Sequence, residues 1–150
     1  MLKILSKLLP TPLPKSSKQH RKSTSAKEKD VLGRAGEQAA ADFLTAKGYQ
    51  ILQRNFLLPG GEIDIAALDG ETLVIAEVKT RKNNRFGKPY EAVHETKQRQ
   101  ILRLAEQFMH QFRMMQSPVR FDVISVTGTS AEDFEIEHFI QAFRPQDLQR

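Results

Sequence analysis

Between Leu32 and Lys47 apolar residues return at helical spacing, with Ala35, Ala39, Ala40, Phe43 and Leu44 on one stripe. The spacing predicts a helix over 32–47, and Gly48 stands where a left-handed residue would close it. From Tyr49 the period shortens. Tyr49 to Phe56 reads as a strand, and Pro59-Gly60-Gly61 breaks the chain. Glu62 to Leu68 then alternates, with Ile63, Ile65 and Ala67 on one face. Asp69-Gly70 is a hairpin turn signal, and Leu73 to Thr80 reads as the returning strand. After a polar loop ending at Pro89, Val93, Ile101, Leu104, Ala105, Phe108 and Phe112 recur at helical spacing, which predicts a long helix over 90–115. Strands over 120–126 and 134–139 complete the pattern. The order α-β-β-β-α-β-β predicts an α/β fold, a central mixed sheet flanked by helices.

The first 30 residues break from this pattern. Residues 10–30 are rich in Pro, Ser and Lys with almost no apolar groups, too few to offset the entropy of ordering, so a disordered linker is expected. Two regions follow: a basic N-terminal tail, 1–30, and one folded domain, 31–150. The net charge of +5 belongs to the tail, since residues 31–150 hold 15 basic and 16 acidic groups. Within the domain, however, 79–103 carries eight basic residues against two acidic ones. A polarised surface of that kind suits a polyanion, although a solvated helix face with a charged loop gives the same count.

Composition narrows the chemistry. The chain has no cysteine, which excludes disulfides and thiolate metal sites and permits a reducing cytoplasm. Its apolar runs are far too short to span a membrane, and Met1 to Leu9 lacks the continuous apolar core of a secretory signal. The histidines at 20, 94, 110 and 138 show no paired metal-ligand spacing.

The polar residues of the two hairpin strands carry more information. A buried carboxylate costs several kcal/mol unless it is paired or binds a metal. Glu77 and Lys79 are two apart and share a face. If Asp69-Gly70 is a two-residue turn, Asp64 faces Ile75 and lies diagonally beside Glu77; a four-residue loop puts Asp64 directly opposite Glu77. A three-residue loop would turn Asp64 away. Two carboxylates with an ammonium alongside fit a hard divalent cation, Mg2+ or Mn2+, which takes oxygen ligands and keeps several waters. Asp64 and Glu77 would supply oxygens, and the Val78 carbonyl between the functional side chains adds a third. Lys79 would orient a water and stabilise charge on a phosphoryl group. In the two-residue-turn register Glu62 faces Glu77 as a third carboxylate near the metal; the pattern does not require it, and it is expected just outside the ligands, at the margin of the site. A Glu-x-Lys on a solvated strand looks the same, and it is the matching aspartate on the partner strand that favours chemistry.

The Asp64 and Glu77-Val78-Lys79 pattern resembles the PD-(D/E)xK nuclease superfamily. More closely, the chain is similar to the YraN-like family of bacterial proteins, related to archaeal-type Holliday-junction resolvases. The segments that carry the likeness are Gly33–Glu37, Arg54–Phe56, Gly61–Asp64, Glu77–Arg81, Phe86–Val93, Lys97–Ala105 and Arg120–Val123. The resemblance implies a restriction-endonuclease-like three-layer fold and a metal-dependent endonuclease hydrolysing phosphodiester bonds of DNA. It implies a structure-selective activity on branched DNA, with a symmetric homodimer if two opposed strands are cut. It also implies that Glu37 completes the metal site, that Lys97 faces the active site or DNA, and that Arg81, Lys82, Arg85, Lys88 and Arg99 contact the nucleic-acid backbone. Two other classes stay open: a nucleic-acid-binding module of the same fold with weak or lost catalysis, and a metal-free acid/base hydrolase using Asp64 and Glu77. The basic 79–103 stretch fits phosphate better than sugar.

Overall fold

The computed structural model describes residues 24–83, 85 and 93–148. They form two helices and one five-stranded sheet: α1 (Thr24–Ala46), β1 (Gln50–Leu58), β2 (Gly61–Asp69), β3 (Thr72–Arg81), α2 (Glu95–Gln111), β4 (Val119–Thr127) and β5 (Glu135–Phe143). A 3-10 turn, Pro145–Leu148, follows the last strand. The strands lie side by side in chain order, and every neighbouring pair is antiparallel except β3 and β4. That parallel step requires the chain to cross over between β3 and β4, and α2 makes the crossing.

The alternation along β3 shows the layering. Val74, Ala76 and Val78 pack with Ala40, Ala41 and Leu44 of α1. Leu73 and Ile75 pack with Ile101, Leu104, Ala105 and Phe108 of α2. Odd and even positions of a strand face opposite sides. One helix therefore covers each face, and β3, at the centre of the sheet, is buried on both. Such a strand reads as a continuous apolar run, and Leu73 to Ala76 is one.

Several expectations shift at the element ends. The first helix begins at Thr24, so Thr24–Asp30 belong to α1 and not to the preceding basic stretch. Ala26, Lys27, Glu28 and Lys29 are strong helix formers, and their lack of apolar residues does not prevent them from extending a helix anchored further on. Residues 1–23 lie outside the described part. The long helix is shorter than its periodicity implied. Its start over 90–92 falls outside the described residues, His94 is its extended N-cap, and Phe112 is its C-cap. Arg113 then takes a left-handed φ of 54°. The Met114 N–H bonds the Met109 carbonyl at 2.7 Å, closing the helix in the manner of a Schellman motif. That position usually holds glycine, so an arginine there leaves no stop signal in the sequence. Phe112 and Met114 remain buried beyond the helix end, which prolongs the apolar rhythm.

The hairpin turn is Gly70-Glu71, with Gly70 at φ +59°, and Asp69 pairs with Thr72. Asp69 ends β2 instead of sitting in the turn. The resulting register, Ile65 opposite Ala76, is the one expected from the longer loop.

Candidate metal centre

The paired part of β2 and β3 stops at Ile65 and Ala76. The next residues in this register are Asp64 and Glu77. Instead of continuing the ladder, the Asp64 carboxylate accepts the backbone N–H of Val78 at 2.9 Å, a side chain taking the place of a strand partner. The two strands part here because β2 changes sides. Ile65 packs with the α1 cluster, whereas Ile63 packs with the α2 cluster. Two residues in strict alternation would share a face. Across from Asp64 on β1, Asn55 adopts a left-handed φ of 48°, and its neighbours Arg54 and Phe56 pair with Ile65 and Ile63. Both strands thus turn over at one point, and Asp64 is the residue at that point.

Glu37 arrives from the other layer. Its neighbour Gly36 is buried so tightly on β3 that a Cβ there would overlap the hydroxyl and methyl of Thr80. Only a bare backbone lets α1 come this near. With α1 so placed, Glu37, Glu62 and Asp64 each offer a carboxylate oxygen within 4.8 Å of the others. Glu77 lies alongside, buried, close enough for its charge to raise the Asp64 carboxyl. Lys79 and Lys97 flank Glu77, their Nζ atoms 3.4 and 3.5 Å from its Oε1. Lys97 comes from α2, so both helices and both hairpin strands contribute.

The electrostatics follow from the crowding. Burial pushes the Asp64 carboxyl up to about 8, and the negative charges of Glu77 and Glu37 push the same way. The hydrogen bond from Val78 opposes them without prevailing. Four carboxylates thus meet two ammonium groups, and the shortfall is met by retaining a proton. A hard divalent cation answers the same shortfall with the same oxygen donors. The residues therefore fit such an ion.

Of the residues expected at the site, Glu37, Asp64, Glu77, Val78 and Lys79 come together, with Val78 engaged through its amide. Lys97 joins them. Glu62 corrects the expectation: it sits within the acidic cluster and not at its margin. The two-residue-turn register had set it near the metal through Glu77; in the structure it joins Glu37 and Asp64 instead, at the switch of sides at Asp64. Arg81, half-buried, ends β3 and accepts the Gly128 N–H on its carbonyl at 2.9 Å, while Lys82 and Arg85 are exposed just beyond. Arg99 is not brought to the site. It lies about 200° around α2 from Lys97 and pairs with Glu95 one turn earlier, at 2.6 Å. Lys88 and most of 86–93 lie outside the described residues. His94 is exposed at the helix cap and makes no side-chain capping bond.

A second polar cluster is centred on β4, where Arg120 also bonds Asp69 and the Tyr49 hydroxyl. Asp122, fully buried on β4, accepts hydrogen bonds from Arg120 Nε and Nη2, His138 Nε2 and the Gln141 N–H, at 2.7 to 3.0 Å. Burial raises its carboxyl, but the bonds from His138, Arg120 and Gln141 together outweigh that and hold it below its ordinary value. Every acceptor direction is occupied, so this cluster ties β4 to β5.

A model of the uncharacterised protein family UPF0102 matches residues 36–126, from the glycine beneath Glu37 to the last residues of β4. The chain belongs to this family. UPF0102 proteins similar to it include one from Paenarthrobacter aurescens, 46% identical over 110 residues, covering 73% of this chain and 91% of the relative. Another, from Symbiobacterium thermophilum, is 52% identical over 95 residues, covering 63% and 80%. A third, from Geotalea daltonii, is 48% identical over 113 residues, covering 75% and 89%. All the site residues from Glu37 to Lys97 fall inside the UPF0102 match, and the basic N-terminal stretch, 1–30, precedes it. Among the described residues no helix is long and apolar enough to cross a membrane.

Proposed function

We propose that this UPF0102 protein is a metal-dependent endonuclease with a restriction-endonuclease-like fold, hydrolysing phosphodiester bonds of branched DNA. The observation that carries the reading is the convergence of Glu37, Glu62, Asp64 and Glu77 beside Lys79 at the place where β2 and β3 part. Glu37, Glu62 and Asp64 would hold magnesium or manganese, with Glu77 and the Val78 carbonyl as further oxygens. Such an ion supplies a polarised phosphoryl oxygen and a more acidic water. The protein's own groups have distinct tasks. Lys79 places an ammonium where a phosphoryl group gains charge, and its contact with Glu77 restricts where that ammonium can lie. Lys97 holds Glu77 from the opposite side. Lys82 and Arg85, exposed beyond β3, would take backbone phosphates, which sets affinity without reading sequence.

The geometry disfavours a metal-free glycosidase. That chemistry needs two carboxyls spaced to admit a sugar and a water, whereas Asp64 is crowded by Glu37 and Glu62, and Glu77 is held between Lys79 and Lys97. The test is cleavage of four-way-junction, flap, single-stranded and duplex DNA with magnesium or manganese. The native chain is compared with Asp64→Ala and Lys79→Ala. Metal-dependent cleavage that falls by about 10²-fold or more in both variants is the expected result. Absence of cleavage, with tight salt-sensitive binding unaffected by either substitution, would replace the enzyme with a nucleic-acid-binding module.

A further inference from the structure

The hairpin that delivers Glu62 and Asp64 has an unusual tip. Leu57-Leu58-Pro59-Gly60-Gly61 contains no charged or hydrogen-bonding side chain, although it borders a cluster of four carboxylates and two lysines. Leu57 is 51% exposed, and its direct cross-strand partner is Glu62. Side chains in that relation stand about 5 Å apart at Cβ. An apolar side chain thus projects at the rim of the metal centre. Strand β1 is the edge of the sheet, and among the described residues no further strand covers it. The left-handed Asn55 is what puts Leu57 there, because the turnover at that residue sends Phe56 into the core and leaves Leu57 outward on the face of the carboxylates.

The tip is also held rigidly. Leu58 packs against the core. From α2, Gln100 donates its side-chain amide to the Gly60 carbonyl at 2.7 Å and Gln107 donates to the Pro59 carbonyl at 2.9 Å. Gly61 admits this contact because it lacks a Cβ, which would lie 2.6 Å from the Gln100 amide. Gln100 and Gln107 are two turns apart on the helix that carries Lys97, so one element fixes both the tip and Glu77.

We infer that this pinned tip is a wedge, with Leu57 inserting at a discontinuity in base stacking, the branch point of a DNA junction, beside the phosphate to be cut. The inference rests on the nuclease reading and gives it a source of substrate selectivity. Apolar side chains that enter between base steps must offset the cost of unstacking, a few kcal/mol per step in intact duplex. At a branch point part of that stacking is already lost. A rigid leucine therefore favours branched over continuous DNA without reading any base.

The experiment places 2-aminopurine at the branch of a four-way junction and at the matching step of a linear duplex. Fluorescence is read on adding the full chain in calcium, with binding followed by anisotropy, and cleavage of both substrates is measured separately in magnesium or manganese. The native chain should raise the fluorescence at the junction and prefer the junction for cleavage. Leu57→Ser should lose the fluorescence rise and lower the junction-to-duplex ratio about tenfold, equivalent to ~1.4 kcal/mol. Ile140→Ser, which removes an equally exposed side chain from β5, should change neither. A Leu57→Ser protein that keeps both the rise and the ratio overturns the wedge, as does a native chain that binds the junction without any rise. A rise that depends on Leu57 in a protein that cuts nothing would sustain the wedge and sink the nuclease reading. A chain that binds no DNA refutes both.

Discussion

Replacing Asp64 by asparagine should make the cation-free protein more stable above neutral pH. The change is close to isosteric. The oxygen of the introduced carboxamide still accepts the Val78 N–H, and the group carries no charge. What disappears is a charge that the folded state resists. The Asp64 carboxyl goes from its ordinary 3.8 to about 8 on folding. A group raised in this way leaves stability intact below about pH 4 and drains it progressively as pH climbs through 8. At about 1.4 kcal/mol per pH unit the whole interval corresponds to at most about 6 kcal/mol. Relaxation around the site and entry of water reduce the realistic loss at pH 8 to about 2 kcal/mol. For a chain of this size that is roughly 4–8 °C in Tm. The assay is thermal unfolding in EDTA from pH 4 to 9. Native and Asp64→Asn proteins should coincide near pH 4 and diverge by that amount at pH 8. Magnesium should restore much of the deficit in the native chain and little in the variant, because a bound ion stabilises only the folded state that holds it. Parallel profiles, or a variant less stable than the native chain at pH 8, would refute the view that crowded carboxylates strain this site.

Two further predictions concern the supports of the site. Asp122→Asn breaks a buried pair with Arg120 and His138 and should cost about 3–5 kcal/mol at pH 7, read as a lowered urea midpoint. Because the Asp122 carboxyl is held low, its stabilisation is present above its ordinary value and fades as pH falls, so the gap between native and variant should narrow in acid. Gly36→Ala should cost about 1–3 kcal/mol through its collision with Thr80, and Thr80→Ala in the same chain should recover part of it. Magnesium affinity, followed by calorimetry, should fall with Gly36→Ala because Glu37 moves with the helix.

The periodic signals in the chain were sufficient for the elements themselves. Apolar residues at helical spacing in 32–47 bury a stripe only as a helix, so local pattern and tertiary demand agree. In 62–68 alternation marked the strand but not its faces, since Ile63 packs on the opposite side of the sheet from Ile65 and Ala67. Glu77 and Lys79, two apart on a buried strand, marked the site for the same reason, since polar groups there need a purpose. Other features depended on contacts that no local pattern encodes. Asp69-Gly70 and Gly70-Glu71 both carry turn signals, and their registers differ by two residues, so each keeps the same side chains on the same faces and alternation alone did not choose between them; the structure pairs Asp69 with Thr72. Glu62 entered the acidic cluster only because β1 and β2 turn over together at Asn55 and Asp64, a cooperative twist of two strands. Arg113 ended α2 because the buried Phe112 and Met114 hold the chain in place, where glycine would have announced the stop. The two glutamines that pin the hairpin tip act across 40 and 48 residues of sequence. Periodicity reports which side of an element is buried, and the distances between carboxylates from different elements are set only when those elements pack.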